Sequence, residues 1–195
     1  MIDIDTKFRG RVITVNVETV TLPNGRRAAL EIVHHPGGAA IVALDATGRV
    51  CILRQFRHAG GGYQWELPAG KLEPGEPPFE TAQRELIEEA GVEARDWRSL
   101  GTILASPGVF TEVIHLFLAR DLAPREHAHE DHEVIEVHWI PLAEAWQRAV
   151  TGEFRDAKTA MGLLRVQALL QENLLPPPLQ AGPRGDPGHR SDPAL

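Results

Sequence analysis

Apolar and polar residues alternate in the first part of the chain. Over residues 11–20, the aliphatic side chains fall on one side of an extended chain and the polar ones on the other, which is typical of a half-buried β-strand. Pro23-Asn24-Gly25 follows, and Asn-Gly favours a hairpin turn because both residues accept a positive φ. Residues 28–33 are therefore the predicted returning strand of an N-terminal antiparallel hairpin.

The rest of the chain shows short apolar runs first and helical spacing later. The runs predict strands over residues 39–44, 49–56, 65–69, 99–104, 113–119 and 134–140, with 45–48 as the turn of a second hairpin. Helical spacing predicts helices over residues 77–90, 142–150 and 156–172. Strands that precede most of the helices favour a mixed α/β (α+β) fold over a regular strand–helix alternation.

The composition changes near residue 176, where a segment with six Pro and three Gly begins. Such a segment lacks the apolar side chains needed to pack a core, so we expect it to be disordered. The chain is therefore divided into N-terminal strands (1–35), a main domain (36–175) and a Pro/Gly-rich tail (176–195).

The overall composition excludes several classes of protein. The 195 residues are 43% hydrophobic, which excludes disorder of the whole chain, and the formal net charge of −7 argues against a nucleic-acid binder. No apolar run is long enough to span a bilayer and no signal peptide is recognisable, so we expect no membrane partner and a cytoplasmic protein. The single cysteine, Cys51, lies in an apolar run and is expected to be a buried structural thiol rather than a nucleophile.

One predicted helix carries an unusual concentration of acid. Glu85, Glu88 and Glu89 are spaced i, i+3 and i+4, so their carboxylates share one arc of the helix and repel each other. Arg84 is placed to orient Glu88 but cannot neutralise three acids. A solvated acidic face is one interpretation of this cluster, and a site for a hard divalent cation is the other.

The segment around this helix decides between the two interpretations. From Gly70 to Val92 it reads Gly-x5-Glu-x7-Arg-Glu-U-x-Glu-Glu-x-Gly-U, where U is aliphatic. This pattern resembles the signature of the Nudix hydrolases at every fixed position, and a chance match is on the order of 10⁻¹⁰ per starting position. We refer to residues 70–92 as the signature segment.

Other motifs resemble the ADP-ribose pyrophosphatase branch of that family. They are Arg54-Gln55-Phe56-Arg57, Trp65-Glu66-Leu67-Pro68-Ala69-Gly70, Ser106-Pro107-Gly108 and Asp156-Ala157-Lys158-Thr159. In that branch a proline follows the signature by about fifteen residues, and Pro107 lies at that spacing from Val92. The resemblance implies a Nudix-type α/β/α sandwich that hydrolyses a nucleoside diphosphate sugar. ADP-ribose, cleaved to AMP and ribose 5-phosphate, is the expected substrate.

The resemblance also implies a metal-dependent site with two or three Mg²⁺ (or Mn²⁺) ions. The implied metal ligands are Glu85, Glu89, Glu133 and the carbonyl of Ala69, with Glu88 a further catalytic carboxylate and Arg84 an orienting residue. Asp131 occupies the position of the usual general base, where relatives have a glutamate. Glu130, Glu133 and a signature glutamate are the alternatives for that role.

Three residues are implied in substrate binding. Arg57 is expected to meet a phosphate, Glu112 to contact the adenosine part, and Pro107 to lie in the same site. The alternatives are that Arg57 forms a surface salt bridge and that Glu112 is an exposed charge at the end of a strand with no role in binding. A zinc site built from His127, His129 and His132 is a weaker hypothesis, because the neighbouring acids suit magnesium or manganese better.

Three other activities remain open on the sequence. They are pyrophosphatase activity on GDP-mannose or UDP-glucose, removal of oxidised nucleoside triphosphates, and nucleotide sensing without hydrolysis. All the signature carboxylates are present, which argues against the sensor. Relatives in this branch are homodimers, and the resemblance implies a homodimer here that involves residues 10–35.

Overall fold

The computed structural model describes residues 2–125 and 135–179. Its N-terminal strands form a three-stranded antiparallel sheet of β1 (Asp3–Arg9), β2 (Thr14–Thr21) and β3 (Arg27–His34), in the order β1-β2-β3. The predicted hairpin corresponds to β2 and β3. Strand β1 was not predicted, because its short stretch of mixed apolar and charged residues is exposed along its whole length.

Two further sheets build the main domain. The first is antiparallel and consists of β5 (Arg49–Arg57), β6 (Gly62–Glu66) and β10 (Ile135–Pro141), in the order β10-β5-β6. The second is mixed and consists of β4 (Gly38–Ala43), β7 (Ala69–Lys71), β8 (Val92–Leu104) and β9 (Val113–Pro124), in the order β7-β4-β9-β8. Strands β4 and β9 are parallel and form the centre of this sheet.

Helices cover both faces of the central strands. They are α1 (Pro78–Ala90), α2 (Leu142–Val150) and α3 (Ala157–Gln171). Strand β4 is buried on both sides: Val42 packs in a cluster with α2 and α3, whereas Ile41 packs in a second cluster with α1. This alternation separates two apolar layers across one strand. The expected α/β/α sandwich is thereby confirmed.

Two local predictions were wrong. Residues 45–48 do form a turn, but β4 and β5 share only the bridge between Leu44 and Val50 and then enter different sheets. Both strands are apolar on both faces, so each is buried between layers rather than paired with its neighbour in sequence. The predicted strand over 65–69 is divided between β6 and β7, because Pro68 between them has no N–H to donate.

The C-terminal end of the described chain lies against β8. The N–H of Leu179 donates to the carbonyl of Trp97 at 2.7 Å, and Arg98 donates to the carbonyl of Pro176 at 2.6 Å. These contacts involve the first residues of the segment expected to be disordered; residues 180–195 lie outside the described residues. Among residues 2–125 and 135–179, no helix has the length and apolar character to cross a membrane.

Candidate active site

A cleft of about 480 Å³ opens where β4, β7 and α1 meet the start of α3. Seven of the predicted site residues line it: Arg57, Ala69, Arg84, Glu85, Glu88, Glu89 and Glu112. Pro107 is exposed in the loop between β8 and β9 and does not line the cleft. Asp131 and Glu133, together with Glu130 and the three histidines of the zinc hypothesis, lie outside the described residues.

Helix α1 has sequence signals at both ends that fix its position. Pro78 occupies its first turn, where a missing N–H leaves no helical bond unmade. Gly91 ends the helix in the left-handed region with φ 63°, and its N–H donates to the carbonyl of Ile87. Ala82 and Leu86 are fully buried beneath the sheet. Glu85, Glu88 and Glu89 lie on the arc of the helix next to this buried stripe, and all three line the cleft.

The backbone of Ala69 and Gly70 passes close to two of those carboxylates. The Ala69 N–H donates to Oε2 of Glu89 at 2.7 Å. A methyl group on the Gly70 α-carbon would overlap the carboxylate of Glu85. Glycine leaves room for the Glu85 carboxylate at this position, and a larger residue would displace that carboxylate. Strand β7 and helix α1 are held together at this point of the site.

Arg84 connects the carboxylates of the signature segment. It forms two hydrogen bonds with Glu76, at 3.0 and 3.1 Å, and one with each of Glu85 (2.7 Å) and Glu88 (2.9 Å). The Arg84 hydrogen bonds lower the pKa of Glu76 to about 2, with help from Thr81 and against the effect of burial. Glu76 thus stays ionised and anchors Arg84 beneath the acidic arc.

The donor set of this arc suits a hard divalent cation. Glu85, Glu88 and Glu89 supply carboxylate oxygens, and the backbone of Ala69 lies against Glu89. Oxygen ligands of this kind are those preferred by Mg²⁺ and Mn²⁺. In the described part of the chain, no three acidic, histidine or cysteine side chains converge closely enough to hold an ion as they stand, and Arg84 instead bridges Glu85 and Glu88.

The lining of the cleft also includes two cations, Arg57 and Lys158, which are paired with carboxylates. Arg57 binds Glu66 through two hydrogen bonds, at 2.9 and 3.0 Å, and Lys158 donates to the same carboxylate at 2.6 Å. Burial by itself raises the pKa of Glu66, but Arg57 and Lys158 outweigh it and hold the pKa below its ordinary value. The salt bridge that the sequence left as an alternative for Arg57 is present, and its partner is a buried carboxylate.

A histidine lies beside the predicted adenosine contact. The Nδ1 atom of His35 is 3.4 Å from Oε1 of Glu112, and the His35 ring packs against Phe110. The N–H of Gly37 donates to the same Nδ1 at 3.1 Å. The N-terminal strands therefore reach the cleft through the residue that follows β3.

Sequence analysis did not single out His35, Gln55 or Lys158, which line the cleft. Gln55 and Lys158 both lie in motifs that resemble the branch, and this was the only signal available for them. His35 directly follows β3 and looks like an ordinary residue at the end of a strand. Cys51 is fully buried, and burial raises the pKa of its thiol, as expected of a structural cysteine.

Comparison with known proteins agrees with this architecture. The chain is 40% identical to an ADP-ribose pyrophosphatase of Bacillus subtilis over 162 residues, covering 82% of this chain and 88% of that protein. It is 36% identical to an ADP-ribose pyrophosphatase of Mycobacterium tuberculosis over 181 residues, covering 91% and 87%. A crystal structure of an ADP compounds hydrolase superposes with a TM-score of 0.76 at 24% identity, over 89% of this chain and 95% of that one, and supports the fold.

The match to a family model covers the same part of the chain. The model of the NUDIX domain matches residues 34–161, which run from the end of β3 into α3 and include the signature segment and the cleft. The resemblance of residues 70–92 to the Nudix signature is thus accompanied by a match over most of the main domain. This chain belongs to the Nudix family and is a Nudix pyrophosphohydrolase.

Proposed function

We propose that this enzyme hydrolyses ADP-ribose to AMP and ribose 5-phosphate. The observation that carries the proposal is one cleft whose lining includes both the carboxylates of α1 and the Arg57 guanidinium. A pyrophosphate is anionic and needs both cation-binding acids and a direct cationic contact. Two relatives that cover most of the chain are named ADP-ribose pyrophosphatases, which supports this substrate.

Nudix hydrolases are generally dependent on divalent metal ions, and we propose two or three Mg²⁺ or Mn²⁺ ions in this one. Glu85, Glu89, Glu133 and the Ala69 carbonyl would hold them. When bound, such ions neutralise the phosphate oxygens and lower the pKa of a coordinated water. The three carboxylates of α1 then lose their mutual repulsion.

The chain's own residues bind the substrate and move one proton. Arg57, anchored on Glu66, contacts a phosphate, and Glu112 contacts the adenosine part beside His35. Asp131 accepts a proton from the attacking water while the oxygen of that water forms a bond to one phosphorus. The bond from that phosphorus to the bridging oxygen breaks, and the bridging oxygen leaves with the other phosphate.

A substrate panel tests this proposal. Purified protein is incubated with Mg²⁺ and, separately, ADP-ribose, GDP-mannose, UDP-glucose, diadenosine polyphosphates and nucleoside triphosphates, and the products are resolved by chromatography. We expect kcat/KM for ADP-ribose to exceed the others by about tenfold or more, with AMP released. A preference for another sugar nucleotide would overturn the assignment of the adenosine site. Binding without turnover of any compound would favour a sensor.

We also propose a homodimer formed through the N-terminal sheet. Within residues 10–35, Val12 and Leu30 are 46% and 38% exposed, and on the preceding edge strand β1 Ile4 and Phe8 are 56% and 55% exposed. An edge with exposed large apolar side chains is covered in a stable protein by further packing, and a second copy of the chain supplies it. Light scattering should give about twice the 21.4 kDa chain mass, and Phe8→Lys should halve it. A single 21.4 kDa species for the unmodified protein would refute the dimer.

A further inference from the structure

Lys158 joins two carboxylates next to the cleft. Its Nζ atom donates to Oε2 of Glu66 at 2.6 Å and to Oδ1 of Asp156 at 3.0 Å. The Lys158 side chain is 14% exposed and that of Glu66 is 5% exposed. Short charge-assisted hydrogen bonds to two carboxylates hold the ammonium group in one place, so Lys158 has a defined position.

The helix that carries Lys158 is itself fixed to the cleft. Asp156 caps α3 by accepting from the N–H and the hydroxyl of Thr159, at 3.0 and 2.6 Å. The same hydroxyl accepts from the N–H of Leu67 at 2.8 Å, and Thr159 is fully buried. The first turn of α3 is therefore hydrogen-bonded to residues 66–67, and Glu66, which binds Arg57, is one of these two residues.

Glu66 is the common partner of both cations. Oε1 accepts from Nε of Arg57, and Oε2 accepts from Nη2 of Arg57 and from Nζ of Lys158. Two parallel bonds from Arg57 are formed only while the carboxylate plane stays in one orientation. The third bond, from Lys158, arrives from a different element and restricts the rotation of that plane.

We propose that Lys158 is a positioning residue for the phosphate contact: it fixes the Glu66 carboxylate, which in turn holds the Arg57 guanidinium at the cleft. The proposal deepens the proposed function, since it takes the ligand of Arg57 to be a pyrophosphate. It does not depend on the nucleobase, because neither Lys158 nor Glu66 lies near Glu112 in the hydrogen-bond network. The role is in binding rather than in the chemical step.

The test compares Lys158→Gln with Lys158→Arg and with Arg155→Gln. Arg155 is an exposed cation on the same approach to α3 and lines a neighbouring cleft with Lys158, so it is the matched control for loss of one positive charge. We expect Lys158→Gln to raise KM about tenfold with kcat changed less than about threefold. Lys158→Arg should recover most of the loss, and Arg155→Gln should change KM less than about twofold.

Glu66→Gln separates positioning from net charge. This substitution makes the cleft more positive, so a role limited to attraction of an anion would lower KM, whereas loss of the anchor raises it. When Glu66→Gln is already present, adding Lys158→Gln should raise KM by less than about twofold, because the effect of Lys158 on KM passes through Glu66. If Lys158→Gln does not fold, the KM of Glu66→Gln alone still distinguishes the two roles. A raised KM indicates that the carboxylate anchors Arg57, and a lowered KM indicates that only the net charge of the cleft matters.

The outcomes that overturn the proposal are distinct from failure of the proposed function. Additive effects of Lys158→Gln and Glu66→Gln would mean that Lys158 touches the phosphate directly, and equal effects of Lys158→Gln and Arg155→Gln would mean general electrostatics. Failure of the wild type to cleave ADP-ribose would refute the proposed substrate only, and the variants would then be compared on the best substrate of the panel. The Kd of a non-hydrolysable methylene analogue of the substrate, measured by calorimetry, should rank the wild type and the variants in the same order as their KM values do.

Discussion

The α-carbon of Gly70 faces the carboxylate of Glu85 with no room for a methyl group between them. This contact lets β7 and α1 come together at the cleft, with Ala69 bonded to Glu89 one residue earlier. The fixed glycine of the signature segment is thus explained by the volume of the acid it faces. Its φ is not positive, so conformational freedom is not the reason for it.

Gly70→Ala should therefore displace Glu85 and lower kcat/KM by about 100-fold, because displacements near 1 Å are enough for such a loss. Gly108→Ala is the matched control, since a Cβ on Gly108 meets nothing within 4 Å and its φ is not positive. Steady-state kinetics with Mg²⁺ measure both variants. Near-normal activity of Gly70→Ala would show that Glu85 moves without consequence and is not a ligand.

Glu89→Gln should lower kcat by about 1,000-fold while the fold is retained. The amide keeps the size of the side chain and still accepts from the Ala69 N–H, but it lacks the charge to bind a cation. Glu80→Gln, an exposed acid in the first turn of α1, is the control and should leave kcat unchanged. Near-normal turnover of Glu89→Gln at saturating Mg²⁺ would contradict the assignment.

Local signals explain which elements could be predicted from sequence. Helix α1 was predicted to within one residue because Pro78 and Gly91 mark its ends independently of any tertiary contact. The strand pairings of β4 and β5 were not predictable in the same way. Their buried, apolar faces identify them as strands, but the choice of partner is made by segments as distant as β9 and β10.

In the candidate site too, the contacts within one element could be predicted from the sequence and the contacts between distant segments could not. Arg84, Glu85, Glu88 and Glu89 share one helix, so their arrangement follows from the helical repeat. The bond between Lys158 and Glu66 joins residues 92 positions apart, and no local pattern encodes it. His35 reaches Glu112 only because the loop before β9 pairs with the end of β3. Contacts between separate segments therefore had to come from the structure.

Thr159 should matter for stability through its hydroxyl. Thr159→Val removes the acceptor for the N–H of Leu67 and leaves that group buried and unpaired, so the free energy of unfolding should fall by about 1–3 kcal/mol. Thr159→Ser keeps the hydroxyl and should cost about 1 kcal/mol for the lost methyl group. Urea denaturation followed by circular dichroism measures both. A larger loss for Thr159→Ser than for Thr159→Val would mean that packing of the methyl group, which valine keeps, matters more than the hydroxyl.

The ion pair between Glu76 and Arg84 should make stability depend on acid pH. The pKa of Glu76 is lowered from an ordinary value of 4.5 to about 2 in the folded protein, so the ionised group stabilises the fold above pH 4.5. That contribution is lost as the pH falls through about 2. Because Arg84 is partly exposed, solvent screening reduces it to about 1–2 kcal/mol.

Glu76→Gln should therefore be less stable than the wild type by that amount at pH 7, and the difference should narrow between pH 4.5 and pH 2. Glu73→Gln removes an exposed carboxylate from the same turn and should show neither effect. Urea unfolding at pH 7 and at pH 3.5 measures the two differences. A gap between wild type and Glu76→Gln that is the same at both pH values would show that the side chain acts through its shape and neutral hydrogen bonds. Its charge would then not be what holds Arg84 in place.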